Sequence, residues 1–162
     1  MDKNNLFVPV IFHNDTDNEN ITEVSFTIPG KPFGKQRPRV VSRGGFARAY
    51  TPKETVNYEN LVKISYNVAA GNTKLDGAIE ADVTAYFPIN KSVSKKKHAI
   101  LAEENTPALV KPDNDNIAKV LLDPLNHIAY DDDSQVYKLH VEKYYSDNPR
   151  VEIKLRSKGE NN

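Results

Sequence analysis

Two stretches of strict apolar–polar alternation stand near opposite ends of the chain, Val24-Ser-Phe-Thr-Ile28 and Val151-Glu-Ile-Lys-Leu155. They constrain the fold more than any other feature, because a period of two belongs to a strand with one face in the core. Ile79-Glu-Ala-Asp-Val-Thr-Ala-Tyr-Phe87 and Val136-Tyr-Lys-Leu-His-Val-Glu-Lys-Tyr-Tyr145 add two further strands. Between them the periodicity turns helical. Val56, Leu61, Ile64 and Val68 form a stripe that Thr51-Pro52-Lys53-Glu54 opens with a capping box and Gly71 closes. Ser94 to Glu104 reads as a short helix whose first turn, Lys95-Lys96-Lys97, has the wrong sign for the helix dipole. Ile117, Val120, Leu121 and Leu125 define a third helical face, and Pro124 breaks or kinks its end. Strands at both ends with helices between predict one α+β domain, a mixed or antiparallel sheet with helices packed on it. The turn-like Ser146-Asp-Asn-Pro149 predicts that the last two strands pair as an antiparallel hairpin.

The length of 162 residues suits a single domain with a core of respectable size. A polar, asparagine-rich run at 13–22 marks residues 1–22 as a flexible lead-in; the domain then occupies 23–156, with a disordered tail at 157–162. The absence of cysteine excludes disulfides, a thiolate nucleophile and cysteine-type metal sites. No apolar run reaches the roughly 18 residues of a membrane span, and the start lacks the pattern of a signal peptide. A cytoplasmic protein without membrane contact is expected. The four histidines have no HxH or HExxH spacing, and neither a P-loop nor a nucleophile elbow is present. Zinc and a small-molecule cofactor are therefore not expected.

Formal charge is zero, with 22 basic and 22 acidic side chains, which by itself speaks against a polyanion binder. The arrangement says more. From Lys31 to Lys63 there are eight basic residues and two acids, whereas from Asp113 to Asp133 there are six aspartates and one lysine. Such segregation serves an enzyme that binds a polyanion at one place and divalent cations at another; a chance distribution on a solvated surface gives the same pattern. Lys35, Arg37, Arg39, Arg43 and Arg48, with Lys95, Lys96 and Lys97, are candidates for DNA-backbone contacts. Phe33, Phe46 and Tyr50 interleave with the first group and are candidates for stacking on unpaired bases, local packing being the alternative.

The stretch Lys111-Pro-Asp113-Asn-Asp115-Asn116-Ile-Ala-Lys119, followed fourteen residues later by Asp133, carries the chemistry. In an extended segment Asp113 and Asp115 put both carboxylates on one side. Two crowded anions are costly unless a cation lies between them. Mg²⁺ suits the place, being hard and usually held by one or two carboxylates with waters and phosphate oxygens; Mn²⁺ is a natural substitute. Lys119, one helical turn beyond Asp115, is placed to stabilise charge developing on a phosphodiester. The same residues would also serve as helix caps and a solvated turn. A calcium loop is excluded, since Ile117 and Ala118 fall where a ligand and glycine are required.

Asp113-x-Asp115-Asn116-x-x-Lys119, then Asp123, then Asp132-Asp133-x-Gln135-Val136, resembles the RusA-like Holliday junction resolvases of phages and prophages. Pro29-Gly-Lys-Pro and Lys35-Gln-Arg-Pro-Arg39 look like the version of Gram-positive members, and the likeness runs from about Val24 to Leu155. The resemblance implies an intertwined homodimer and a Mg²⁺-dependent endonuclease that nicks four-way DNA junctions in symmetric pairs during recombination, repair or phage DNA processing. It implies that Asp113, Asp115 and Asp133 are the metal-binding, catalytic aspartates and Lys119 the catalytic lysine. Asp132, Asp123 and Asn116 are expected to support them or to add a ligand. A two-fold junction needs two cuts related by symmetry, which a C₂ dimer supplies. Pro124 and the long lead-in depart from the pattern. Rival readings are a catalytically dead DNA-binding relative and a metal-binding regulatory module.

Overall fold

A computed structural model describes residues 12–14 and 21–158 of the chain. Five strands form the main sheet: β1 (Phe12–Asn14), β2 (Ile21–Pro29), β5 (Ala78–Pro88), β6 (Val136–Ser146) and β7 (Arg150–Lys158). They lie in the order β1-β2-β7-β5-β6. β7 is antiparallel to both neighbours, with Leu155 opposite Val24 on one side and Ala81 on the other, whereas β6 runs parallel to β5. A second, two-stranded sheet consists of β3 (Arg39–Arg43) and β4 (Phe46–Tyr50). The helices are α1 (Lys53–Ala70), α2 (Lys95–Leu101) and α3 (Asn114–Leu122). The architecture is the expected α+β with a mixed sheet.

Alternation in β2, β5 and β7 does what the period of two requires. Val24, Phe26, Ile28, Val83, Phe87, Ile153 and their neighbours are buried on one face under α1 and α3. The other face carries Ser25, Thr27, Asp82, Thr84, Glu152 and Lys154, which line a shallow groove. Tyr66 anchors α1: its ring meets Phe26 edge-on at 5.5 Å, and its hydroxyl donates to the Thr73 carbonyl at 2.7 Å.

Several expectations are corrected. β6 and β7 are not a hairpin; β5 lies between them, because parallel pairing of β5 with β6 leaves the following strand free to pair on β5's other edge. The buried face of α1 is Thr55, Val62, Tyr66 and Ala70, while Val56, Ile64 and Val68 are exposed, Val68 by 77 %. Tyr66 is the largest side chain this helix buries fully, fixed by Phe26 and by the Thr73 carbonyl, and it sets the rotation of the helix. Pro52 takes the N-cap position of α1 and no side chain caps it, so the Thr51–Glu54 box is not formed. α2 ends at Leu101, and Glu104 leaves it with φ 59° to make a bidentate pair with Arg150 at 2.9 and 3.0 Å. β2 begins at Ile21, inside the expected lead-in, and β1 pairs with it. Ser157 and Lys158, assigned to the tail, continue β7 and pair with β2 and β5. The remaining parts of both terminal segments, 1–11, 15–20 and 159–162, lie outside the described residues.

Candidate active site

α3 turns five apolar side chains, Ile117 to Leu122, into the core and leaves its polar face outward. Asp113 is its N-cap and has extended backbone, but its carboxylate makes no capping bond. It accepts instead from the Lys111 Nζ at 2.8 and 2.6 Å, and this bond, with the charge of Lys143, holds it below the usual carboxylate range. Two contacts fix this end of α3 to β6. Asn114 Nδ2 donates to the Val141 carbonyl at 3.2 Å, and Lys143 Nζ donates to the carbonyls of Val110 at 2.7 Å and Pro112 at 3.2 Å. Asp113 and Asp115 therefore do not share an extended segment: Asp115 already belongs to the first turn of α3, where the helix dipole favours an acid.

Asp115, Lys119 and Asp123 follow at intervals of four and so share one face. The two acids are separated by about 12 Å along the axis, at 1.5 Å per residue. Asp123 closes α3 and opens a 3₁₀ turn, Asp123–Leu125, in which Pro124 is buried. The chain then returns through a tight connection. His127 donates from its backbone to the Tyr130 carbonyl at 2.7 Å with φ 63°, and the buried Tyr130 hydroxyl donates to the Leu122 carbonyl at 2.8 Å.

This return sorts the three consecutive aspartates. Asp131 pairs with Lys74. Asp132 caps the 3₁₀ turn Asp133–Gln135, accepting from the Ser134 amide at 2.9 Å, and Gln135 Oε1 reciprocates by accepting from the amides of Asp131 and Asp132 at 2.8 and 3.2 Å. Asp132 is held low mainly by its bonds to Ser134. Asp133 alone is left facing α3. Its pKa is raised, first by burial, then by the charges of Asp123 and Asp132 and a hydrogen bond with Asp123, with Lys119 opposing. Asp123 and Asp133 thus bear on each other as like charges, with Lys119 opposing.

Further positive charge comes from Lys35. Its Nζ lies 2.5 Å from Asp123 and 3.1 Å from Glu59. Burial works against its charge, but the bonds and charges of these two acids outweigh it and raise its pKa. Lys35 reaches them because its loop docks on α3: its backbone N–H donates to the Asn116 carbonyl at 3.0 Å. A Cβ on the preceding Gly34 would lie 2.4 Å from the Pro112 Cβ, so only glycine permits the approach. Lys35, grouped by sequence with the DNA contacts, is thus drawn into the acidic pocket. Arg37 stays exposed, and Arg39, Arg43 and Arg48 stand on the β3–β4 ribbon. Phe33 packs on Tyr58 at 5.4 Å, which is local packing. Lys95, Lys96 and Lys97 are exposed in the first turn of α2, with the Ser94 hydroxyl accepting from the Lys97 amide. His98 of that helix lies 3.0 Å from Asp147, beyond the end of β6 remote from Asp133. The lysine trio and the acidic pocket therefore stand at opposite ends of one strand.

Among the described residues no three carboxylates or histidines converge closely enough to hold one ion. The fit to a hard dication rests on fewer groups. Mg²⁺ needs only one or two carboxylates beside waters and phosphate oxygens, and the crowded Asp123–Asp133 pair has the donors and the unmet charge it requires. Sequence reasoning gave Asp123 a secondary place, although its spacing of four from Lys119 already aligned it with the site. Nothing local could have revealed Glu59 or the inward course of Lys35.

Residues 29–156 match the family model described as Endodeoxyribonuclease RusA. A protein of Bacillus subtilis (strain 168) named Uncharacterized protein YqaN is 37 % identical over 135 residues, covering 82 % of this chain and 95 % of the relative. With the match extending from the end of β2 almost to the end of β7, the chain belongs to the RusA family of endodeoxyribonucleases.

Proposed function

We propose that the protein is a Mg²⁺-dependent endonuclease that resolves four-way DNA junctions by paired nicks, acting as a homodimer. The observation that carries this reading is the Asp132–Gln135 turn, whose bonds occupy Asp132 and leave Asp133 as the carboxylate that feels the charges of Asp123 and Lys119, on the fold of a nuclease family. In this reading Asp133 and Asp123 hold the ion at one end of α3, and Asp113 and Asp115, at its other end, are further metal-binding carboxylates, so that no single ion draws on all four. Mg²⁺ would supply Lewis-acid polarisation of a phosphate and a more acidic water. Lys119 stabilises the charge that develops on the phosphodiester. Lys35 holds Asp123 in place. Asn116 fixes the Lys35 loop through its carbonyl, and Asp132 fixes the turn that presents Asp133. Two copies related by a two-fold axis match the symmetry of the junction.

The test uses a labelled synthetic four-way junction and a linear duplex of the same sequence, incubated with Mg²⁺, Mn²⁺ or EDTA. Paired nicks confined to the junction and lost in EDTA are expected. Binding without cleavage under any divalent metal would sink the nuclease reading in favour of a catalytically dead DNA-binding relative. A strict monomer at micromolar concentration would sink symmetric resolution.

A further inference from the structure

The β3–β4 ribbon exposes both of its faces along its whole length. All ten of its strand residues are exposed, and its sheet is separate from the main one. A two-stranded ribbon gains little stability by itself, so its residues answer to something outside the fold. The register separates them by chemistry. Arg39 is opposite Tyr50, Val41 opposite Arg48, and Arg43 opposite Phe46; these pairs share one face by alternation. Val40 with Ala49 and Ser42 with Ala47 form the other, which is uncharged and small. Residues 39–50 contain no acid. Three guanidiniums on one face, with no acid in the ribbon itself to neutralise them, call for a polyanion. Gly44 and Gly45, with φ 60° and 83°, make the two-residue turn at the tip. Beside that turn Phe46 is 84 % exposed.

We propose that the Arg39–Arg43–Arg48 face of the ribbon lies against the DNA backbone while Phe46 stacks on bases that the branch point leaves unstacked. The ribbon then supplies the preference for branched over linear DNA. Arginines grip phosphate without regard to structure, but an aromatic ring finds an open base face only where stacking is interrupted. The proposal rests on the nuclease reading for the identity of its DNA, though not on cleavage.

Binding in EDTA separates the two. Anisotropy of labelled junction and matched duplex is measured for the parent, Phe46→Ala, Arg48→Ala and Val40→Thr. Phe46→Ala is expected to weaken junction binding about tenfold, the scale of one lost base stack, and to leave duplex binding unchanged. Arg48→Ala weakens both substrates and lowers the salt slope by about one. Val40→Thr, on the uncharged face, changes neither. Equal loss on both substrates for Phe46→Ala, no loss at all, or a parent without junction preference would overturn the proposal. So would loss of self-association in Phe46→Ala by sedimentation, which assigns the face to a second copy of the chain. A parent that cleaves junctions while Phe46→Ala binds normally overturns the ribbon's role and leaves the nuclease reading standing. Selective binding lost in Phe46→Ala, with no cleavage by the parent in any metal, does the reverse.

Discussion

Asp133→Asn is expected to lower the rate of junction cleavage roughly 10³-fold, about 4 kcal/mol of transition-state stabilisation, while junction binding in EDTA stays at the parent's level. The substitution keeps the shape and one oxygen of the side chain but removes the charge a hard cation needs. Its effect on stability has the opposite sign. A carboxyl whose folded pKa is raised, as that of Asp133 is by burial and by Asp123, weakens the fold when ionised. The penalty is present at neutral pH and is lost as pH falls through the ordinary carboxylate range. The metal-free variant should therefore melt above the parent at pH 7, and the gap should close as the pH falls. Asp113→Asn should show the reverse sign, since Lys111 holds Asp113 low and its ionised form stabilises the fold. Asp113 is exposed and that effect is small. Cleavage at the parental rate by Asp133→Asn, or a lower melting temperature at pH 7, would remove Asp133 from the site.

Gly34→Ala is expected to slow cleavage about 10²-fold and to destabilise the fold by roughly 1–3 kcal/mol, although residue 34 touches neither DNA nor metal in the proposed mechanism. The new Cβ would sit 2.4 Å from Pro112 Cβ and 2.9 Å from its Cγ, against a ring that cannot rotate away. Either the loop lifts or Pro112 moves, and each shift reaches the pocket. A lifted loop breaks the 3.0 Å bond from Lys35 to Asn116 and draws the ammonium from Asp123 and Glu59. A displaced Pro112 moves Asp113, its neighbour. Lys35→Met separates the routes, because it removes the charge and leaves the loop seated. If Lys35→Met slows cleavage as much as Gly34→Ala without its loss of thermal stability, the charge is the cause. Cleavage and melting of Gly34→Ala at parental values would show that the loop does not support the site.

The parts of the fold legible in the sequence are those where one face of an element is buried and the other wet. Val24–Ile28, Ile79–Phe87 and Val151–Leu155 announce their strands because each alternate residue meets a different solvent. The neighbour of each strand is not a local property. Ser146-Asp-Asn-Pro149 makes a turn, yet whether it joins adjacent strands depends on β5, some sixty residues earlier, having claimed the place between. The β3–β4 ribbon escaped because every residue in it is exposed, so it carries no contrast between faces; the Gly44-Gly45 pair was its only local mark. In the site, the interval of four between Asp115 and Lys119 was readable from spacing, whereas the shared extended segment expected of Asp113 and Asp115 does not form, because Asp115 already lies in the first turn of α3. Asp133 could not be told from Asp132 until the reciprocal bonds of Asp132 and Gln135 showed which carboxylate was occupied. The ion pairs of Lys35 with Asp123 and Glu59 join three distant segments and leave no trace in any window of the sequence.

The position of β7 has a consequence for how the molecule assembles. It is the latest of the described strands in the chain and stands third of five in the sheet, hydrogen-bonded along both edges. Until it arrives, β2 and β5 are two unpaired edges with no strand to join them, and the sheet exists only as separate halves. Closing it requires contacts between residues well over a hundred positions apart, such as Val24 with Leu155. Such closure is slow and leaves strand edges open to neighbouring chains in the meantime. The keystone of this sheet is thus set late, and a ribosome must release the chain through Lys158 before the platform beneath α3 can close.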